Sequence, residues 1–224
     1  MTHFAGHFQD VADGGVCSGV LYRTGWTLVA LCPSGRSPTE LFGNHIDLRS
    51  DAEAASLRLG HPATRIPIDL PGAALRIRAA ATGERELAEV YRDTLRHCGS
   101  AFADVAAMVA ERVPEPTVIG CSLGKDRTGL AVALILTSVG FPLDSVVERD
   151  MRARAAIPAC RHGLSAYARA HNTTRVELTQ RCRTGGRALH HALTDIGAPD
   201  TFLLDHGLTR GHLTTLRTAL APRW

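Results

Sequence analysis

One continuous segment, residues 117–136, constrains the fold of this chain more than any other part of the sequence. It opens at residues 117–119 with a short β-branched run bounded by turn residues, which is typical of a buried strand. A glycine-containing loop, residues 120–129, follows directly. Residues 130–136 are then apolar on nearly every side, as in a central buried helix, and Gly140 can terminate that helix. The segment predicts a buried strand, a tight loop and a buried helix in immediate succession.

The first 70 residues alternate between short strands and one helix. Ser50 and Glu53 have the spacing of a capping box, which predicts a helix that begins there and ends before Gly60. Short apolar runs around turn-forming residues predict the strands. The predicted strands are residues 16–21, 27–31, 45–48 and 65–70. Strand, helix and strand in this order predict an α/β fold, with helices packed on a central sheet.

Apolar residues recur at helical spacing through much of the remaining chain. Residues 84–112 are predicted as two packed helices with a break at residues 98–100. The C-terminal third is predicted to be mostly helical, with helices at residues 143–154, 165–185 and 209–220. No internal repeat and no change of composition marks a boundary, so we expect a single domain over residues 1–224.

The composition excludes several classes of protein. The chain has 224 residues, of which 45% are hydrophobic and 21% charged, enough for one substantial core. No apolar run reaches about 18 residues and the N-terminus lacks a secretory-signal pattern, so a cytoplasmic location is predicted. The six cysteines are dispersed, and we expect reduced thiols and no metal. The net charge of +3 comes from scattered arginines and aromatics are 5% of residues, so nucleic acid is not an expected partner.

A cysteine six positions before an arginine is the chemical signal in this sequence. Such a pair can surround a phosphate, because a thiolate can attack phosphorus while a guanidinium grips two oxygens. The spacing occurs from Cys17 to Arg23 and from Cys121 to Arg127. In the first, the intervening residues favour an extended strand, whose N–H groups point to alternate sides. The second lies between a strand and a helix start, which attracts anions. Residues 121–129 are hereafter the phosphate loop.

Lysine occurs once in the chain. Of the 25 basic residues, 24 are arginine and the exception is Lys125, within the phosphate loop. A compact ammonium there would add a second cation at the mouth of a phosphate site. We therefore favour a specific role for this residue over a chance occurrence.

The phosphate loop has the sequence CSLGKDRTG. It resembles the active-site loop of bacterial tyrosine phosphatases of the dual- and triple-specificity, phosphoinositide-phosphatase-like type. The similarity extends to residues 13–15, 21–25, 46–53 and 147–150. It implies a three-layer, tyrosine-phosphatase-like fold with a largely parallel sheet, and a cysteine-dependent phosphomonoester hydrolase. The chain departs from the family at one position, because the family usually has histidine immediately before the nucleophile and this chain has Gly120.

The resemblance also implies roles for the loop residues. Cys121 would be the nucleophile that forms a cysteinyl-phosphate intermediate. Arg127 would bind the phosphoryl oxygens in the transition state. Thr128 would donate a hydroxyl hydrogen bond to the leaving thiolate when the intermediate is hydrolysed. The implied substrate-binding residues are Ser122, Leu123, Gly124 and Lys125.

Two carboxylates are candidates for the general acid. In the family, the position of Asp126 has been interpreted as the acid that protonates the leaving oxygen. Asp69 lies near the end of a predicted strand and is followed by residues 70–72 on a loop that could swing over the site, and it is the alternative. Asp47 and Arg49 also match the family pattern, and we expect them to form a structural ion pair.

Other functions remain open at this point. A rhodanese-like sulfurtransferase also places its cysteine between a strand and a helix, but the run Lys-Asp-Arg-Thr-Gly argues against it. Gly120 permits a pseudophosphatase that binds phosphorylated partners without turnover. The expected partner is a phosphorylated substrate, which could be a phosphotyrosine protein, a phosphoinositide or a small sugar or nucleoside phosphate. No cofactor is expected.

Overall fold

A mostly parallel sheet forms the centre of the protein. The computed structural model describes residues 9–11, 19–31, 41–69 and 83–220, and the fold below refers to these ranges. The strands there are β1 (Gln9–Asp10), β2 (Leu21–Gly25), β3 (Asn44–Asp47), β4 (Thr64–Arg65) and β5 (Thr117–Cys121). They lie in the order β1-β2-β5-β3-β4. All neighbouring pairs are parallel except β1 with β2.

Helices flank this sheet and make up the C-terminal third. They are α1 (Trp26–Leu31), α2 (Asp51–Ser56), α3 (Glu84–Arg112), α4 (Asp126–Ser138), α5 (Leu143–Ala156), α6 (Arg161–Ala170), α7 (Arg175–Arg181), α8 (Gly186–Asp195), α9 (Pro199–Asp205) and α10 (Arg210–Leu220). The predicted α/β fold is confirmed, and so is the helical C-terminal third.

The predicted strand, loop and helix lie at the centre of the core. All residues of β5 are buried, and α4 is buried along almost its whole length. Leu134 of α4 belongs to the same apolar cluster as Phe102 of α3 and Leu189 of α8. Full burial of such a side chain contributes about 1.5–3 kcal/mol. Gly140 ends the helix as predicted, at a positive φ of 104°.

The prediction of a strand at residues 27–31 is wrong, because these residues belong to α1. Two β-branched residues had favoured the strand. In the helix, Leu28 joins the apolar cluster of Leu164 from α6, and Trp26 joins that of Val118 from β5. Packing between elements therefore overrides the local propensity.

The helix predicted at residues 165–185 is divided into α6 and α7. Asn172, between them, has a φ of 48°, which interrupts a helix. Thr174 and Glu177 then form a capping box that starts α7, a signal that sequence analysis overlooked.

The break predicted at residues 98–100 is present in α3 as a kink at Cys98, which has φ −115° and ψ 19°.

Some predictions fall outside the described residues. These are the first part of the strand predicted at residues 16–21 and the loop at residues 70–72. Of the strand predicted at residues 65–70, only Arg65 lies in β4. The single-domain organisation stays a prediction.

Across the described ranges, every helix is too short or too polar to cross a membrane.

Candidate active site

The phosphate loop begins at the centre of the sheet. Cys121, the last residue of β5, is buried, and α4 begins at Asp126. Gly124 makes the tight return, with a φ of 71° and with space so limited that an added Cβ would lie 2.4 Å from the Thr24 carbonyl oxygen. Glycine is therefore required there. The first N–H groups of a helix have no partner within it, so the start of α4 offers donors to an anion held by the loop.

Thr128 lies directly beneath the predicted nucleophile. Its hydroxyl is fully buried and accepts a hydrogen bond from the backbone N–H of Cys121 at 2.9 Å. That bond uses the oxygen as acceptor and leaves the hydroxyl proton to be donated elsewhere. The arrangement fits a donor to the sulfur of Cys121, and this role stays a prediction.

The Arg127 guanidinium is held from one end by Glu53. Nη1 donates to Oε2 at 2.6 Å and Nη2 donates to Oε1 at 2.7 Å. Nη1 also donates to the carbonyl oxygens of Leu48 at 3.3 Å and Ile68 at 3.5 Å. Within the described residues no acceptor contacts Nε. The Nε–H and the second N–H of Nη2 therefore form a pair of donors for two phosphate oxygens.

The Glu53 carboxylate joins the loop to α2. Besides Arg127, it accepts hydrogen bonds from the Ser122 hydroxyl at 2.7 Å and the Ser50 N–H at 2.8 Å. Burial alone would raise the pKa of Glu53, but the hydrogen bonds and charge of Arg127, with the other two donors, lower it to about 2. Burial would lower the pKa of Arg127, but Glu53 and the negative charge of Cys121 raise it. The pair is therefore ionised at neutral pH.

Sequence analysis found Glu53 only as part of a capping box, and the structure confirms that box with Ser50. The second role of the side chain depends on Arg127, 74 positions further along the chain. Local spacing carries no signal for such a contact. The one hint was that Glu53 ends the stretch that resembles the family's N-terminal pattern.

Asp126 is buried, and its carboxylate belongs to an ion-pair network. Oδ1 accepts hydrogen bonds from the Tyr91 hydroxyl at 2.5 Å and from Arg154 at 3.2 Å, and Lys125 Nζ lies 3.6 Å from Oδ2. Burial would raise the pKa of Asp126, but Lys125 and Arg154 outweigh it and lower that pKa. A general acid must be protonated. The role predicted for Asp126 stays a prediction that has to overcome this shift.

The network continues beneath the loop through Arg154, which is fully buried. Its Nε donates to Asp150 at 2.5 Å and its Nη1 donates to the Thr184 carbonyl at 3.2 Å. Asp150 also accepts from Arg23, which donates in turn to the carbonyl oxygen of Gly124 at 2.6 Å. Arg23 belongs to the excluded cysteine–arginine spacing, whose cysteine lies outside the described residues. Removal of one partner from a buried pair typically costs about 3–5 kcal/mol.

The Lys125 side chain turns into the protein. It is buried, and Nζ donates to the Arg181 carbonyl at the end of α7 at 3.1 Å, besides its contact with Asp126. The C-terminal carbonyls of a helix carry partial negative charge, which stabilises a cation. Lys125 therefore lies against α7 in this structure, and its substrate-binding role stays a prediction.

Asp69, the alternative acid, is exposed. It directly follows Ile68, whose carbonyl contacts Arg127, and its own carbonyl accepts a hydrogen bond from the Cys98 thiol at 3.7 Å. Asp69 therefore lies beside the phosphate loop with its side chain in solvent. Its role as the acid also stays a prediction.

Tyr167 of α6 is a second residue that sequence analysis missed. Its ring stacks on His171 with 3.9 Å between centroids, and it packs on the same apolar cluster as Leu123 of the phosphate loop. Burial and the nearby charges of Glu53 and Cys121 raise the pKa of the phenol, against the effect of Arg127. The Tyr167 phenol is thus protonated, and its aromatic ring lies close enough to the site to interact with the charges of Glu53, Arg127 and Cys121.

The expected ion pair of Asp47 and Arg49 is present and buried, with Nη2 2.9 Å from Oδ2. The two residues lie on either side of Leu48 in the sequence, and the Leu48 N–H donates to the Gly120 carbonyl at 2.8 Å.

A group of three or more His, Cys, Asp or Glu side chains that could bind a metal ion is not found in the described ranges.

The largely parallel sheet presents a buried cysteine, a helix N-terminus and an arginine six positions after that cysteine. This combination defines the tyrosine-phosphatase class of α/β proteins. Residues 6–222 match the tyrosine phosphatase family, and the chain belongs to that family of phosphoric monoester hydrolases. The predictions of family and fold class are confirmed.

One relative is the triple specificity protein phosphatase PtpB of Mycobacterium tuberculosis (strain ATCC 25618 / H37Rv). It is 33% identical to this chain over 89 residues, which are 40% of this chain and 32% of the relative. The matched segment therefore spans about a third of that relative.

Proposed function

We propose that this protein hydrolyses phosphate monoesters through a cysteinyl-phosphate intermediate on Cys121. The observation that carries the proposal is the orientation of Arg127. Glu53 occupies one end of its guanidinium, and the Nε side keeps two parallel donors for a phosphate. Those donors belong to the second residue of α4, whose N-terminal N–H groups attract an anion beside Cys121.

The reaction has two steps. The Cys121 thiolate attacks phosphorus, the S–P bond forms, and the bond from phosphorus to the leaving oxygen breaks as that oxygen takes a proton. Water then attacks phosphorus, the S–P bond breaks, and inorganic phosphate and the thiolate are released. Arg127 stabilises the equatorial oxygens in both steps. Thr128 donates its hydroxyl proton in a hydrogen bond to the sulfur as the thiolate leaves.

The proton donor is the least constrained part of the mechanism. Asp126 belongs to the phosphate loop, and a bound phosphate dianion would oppose the cations that lower its pKa. Asp69 has an exposed side chain, and it has to move over the loop to reach the leaving oxygen. We retain Asp126 as the proposed acid and Asp69 as the competitor.

For the substrate we propose phosphotyrosine in a protein. Tyr167 supports this choice, since an aromatic wall beside the phosphate loop can stack on an aryl phosphate. The relative is named as a triple specificity protein phosphatase, and dual specificity belongs to the same proposal. A small phosphorylated metabolite, such as a sugar or nucleoside phosphate, or a phosphoinositide is the alternative. A cytoplasmic location and the lack of a nucleic-acid partner stay predictions.

The proposal is tested by comparing Cys121→Ser with Cys182→Ser, which alters another buried cysteine. We expect Cys121→Ser to abolish phosphate release from para-nitrophenyl phosphate while tungstate binding persists, and Cys182→Ser to retain turnover. Rapid acid quench of the wild type should trap a phosphoenzyme that Cys121→Ser cannot form. Turnover by Cys121→Ser would refute the mechanism. Tungstate binding by a wild type without turnover on any phosphomonoester would instead establish the pseudophosphatase, and thiocyanate formation would establish the sulfurtransferase.

A further inference from the structure

The corner between β2 and α1 contacts the phosphate loop from one flank. The Thr27 N–H donates to the Ser122 carbonyl at 3.1 Å, and the two hydroxyls of these residues are 3.2 Å apart. Gly25 lies so close to the loop that an added Cβ would be 2.6 Å from the carbonyl carbon of Leu123. The backbone of the corner and the backbone of the loop are therefore in direct contact.

Trp26, within this corner, takes the space beside Gly120. Its side chain is fully buried. A Cβ added to Gly120 would lie 2.7 Å from Trp26 Nε1, 2.8 Å from Cδ1 and 2.9 Å from Thr24 Cγ2, closer than real Cβ atoms approach. The indole and a side chain at position 120 therefore exclude each other. Position 120 immediately precedes Cys121, so the indole packs on the backbone that carries the nucleophile.

The indole is itself held in one orientation. Nε1–H donates to the Ile46 carbonyl of β3 at 2.9 Å. The ring meets His45 edge-on at 5.7 Å and His61 at 5.2 Å, and it shares an apolar cluster with Phe42. A side chain fixed by a hydrogen bond and by close packing transmits its position to its neighbours.

We infer that Trp26 is the positioning residue of the phosphate loop. It touches no reacting atom and acts through the backbone of Gly120, against which the indole lies too close for a side chain at that position. This inference rests on the proposed function only in that the loop is taken to bind a phosphoryl group.

The consequence is measurable because the loop has to place Cys121 and Arg127 within a narrow geometry. A displacement of about 1 Å in such a site costs about 10²-fold in rate. We expect Trp26→Ala to lower kcat/KM about 10²-fold, with most of the loss in kcat, and to weaken tungstate binding about tenfold. Tungstate should also protect Cys121 from alkylation by iodoacetamide less well than in the wild type.

The decisive experiment exchanges the two positions. Gly120→His should be as impaired as Trp26→Ala, because its side chain collides with the indole. In a Thr24→Ser background, which removes the neighbouring Cγ2, the double variant Trp26→Ala/Gly120→His frees that space, and it should regain at least tenfold of the kcat/KM lost by Gly120→His. Phe141→Ala is the matched control, since it removes a buried ring beyond the C-terminal end of α4, away from the indole, and it should lower Tm without changing tungstate affinity.

Two results of these experiments would contradict the positioning role of Trp26. Equal loss of tungstate affinity in Trp26→Ala and Phe141→Ala, or a double variant that recovers nothing, would overturn the inference. If Trp26→Ala does not fold, Trp26→Phe, which keeps a ring and removes the N–H donor, has to show the weaker protection of Cys121 by tungstate in a folded protein. Tungstate binding and alkylation need no turnover, so they test Trp26 even if the wild type proves to be inactive on every phosphomonoester.

Discussion

Replacement of Glu53 by glutamine tests whether Arg127 is preorganised by a partner. The substitution keeps the size of the side chain but removes its charge. It also replaces one of the two oxygens that accept hydrogen bonds from Arg127 with an amide NH₂ group, which is a donor. The hydrogen bonds at 2.6 and 2.7 Å cannot both survive. Because hydrogen bonds to charged groups contribute about 1.5–3 kcal/mol, we expect kcat/KM on para-nitrophenyl phosphate to fall about 10- to 100-fold.

The stability of the fold should change with a defined pH dependence. The pKa of Glu53 falls from the ordinary 4.5 to about 2, so its ionised form contributes about 3 kcal/mol to the free energy of unfolding. A lowered pKa gives stability that is present above the unfolded value and is lost as pH falls. The difference in unfolding free energy between wild type and Glu53→Gln should therefore be full at pH 7 and disappear between about pH 5 and pH 2.

A matched control exists in the same chain. Glu177 has the same place in the capping box of α7 that Glu53 has in α2, but it is exposed and its contacts are Thr173 and Thr174. Glu177→Gln should leave kcat/KM and tungstate affinity unchanged. The reasoning is refuted if the two variants lose activity equally, or if the stability difference of Glu53→Gln is independent of pH.

Three further predictions follow from the site. Asp126→Asn should slow alkyl phosphates about 10²–10⁴-fold and para-nitrophenyl phosphate far less, because a basic leaving group needs a proton; if Asp69→Asn shows this pattern instead, the acid is Asp69. Lys125→Ala should weaken hydrolysis of polyphosphorylated substrates more than of para-nitrophenyl phosphate if the side chain serves substrate, whereas equal loss together with a lower Tm would assign it to the contacts with Arg181 and Asp126. EDTA should leave activity unchanged, and zinc-reversible inhibition would contradict this prediction.

The part of the fold that sequence analysis predicted well is the part governed by short-range signals. The strand, loop and helix of residues 117–136 combine β-branched residues, a glycine return and an apolar helix, and each signal acts over a few residues. The capping box of Ser50 and Glu53 is equally local. The segment of α1 failed because its local propensity for strand is outweighed by the burial of Trp26 and Leu28 against other elements.

The residues of the site also divide into those that short-range sequence signals predict and those that packing between distant elements brings together. The spacing of Cys121 and Arg127 is visible in the sequence, and so is the need for glycine at position 124. The contact of Glu53 with Arg127 and the proximity of Tyr167 depend on how distant elements pack, and no spacing rule encodes them. Lys125 was expected at the mouth of the site, but the structure turns it inward.

Two of the buried cations described above join the catalytic half of the chain to its last third. Lys125 donates to the Arg181 carbonyl and Arg154 donates to the Thr184 carbonyl. A chain truncated after α5 would expose both cations together with the apolar face of α3 that α8 covers. The segment from α7 to the start of α8 is therefore a structural support of the phosphate loop rather than a separable appendage.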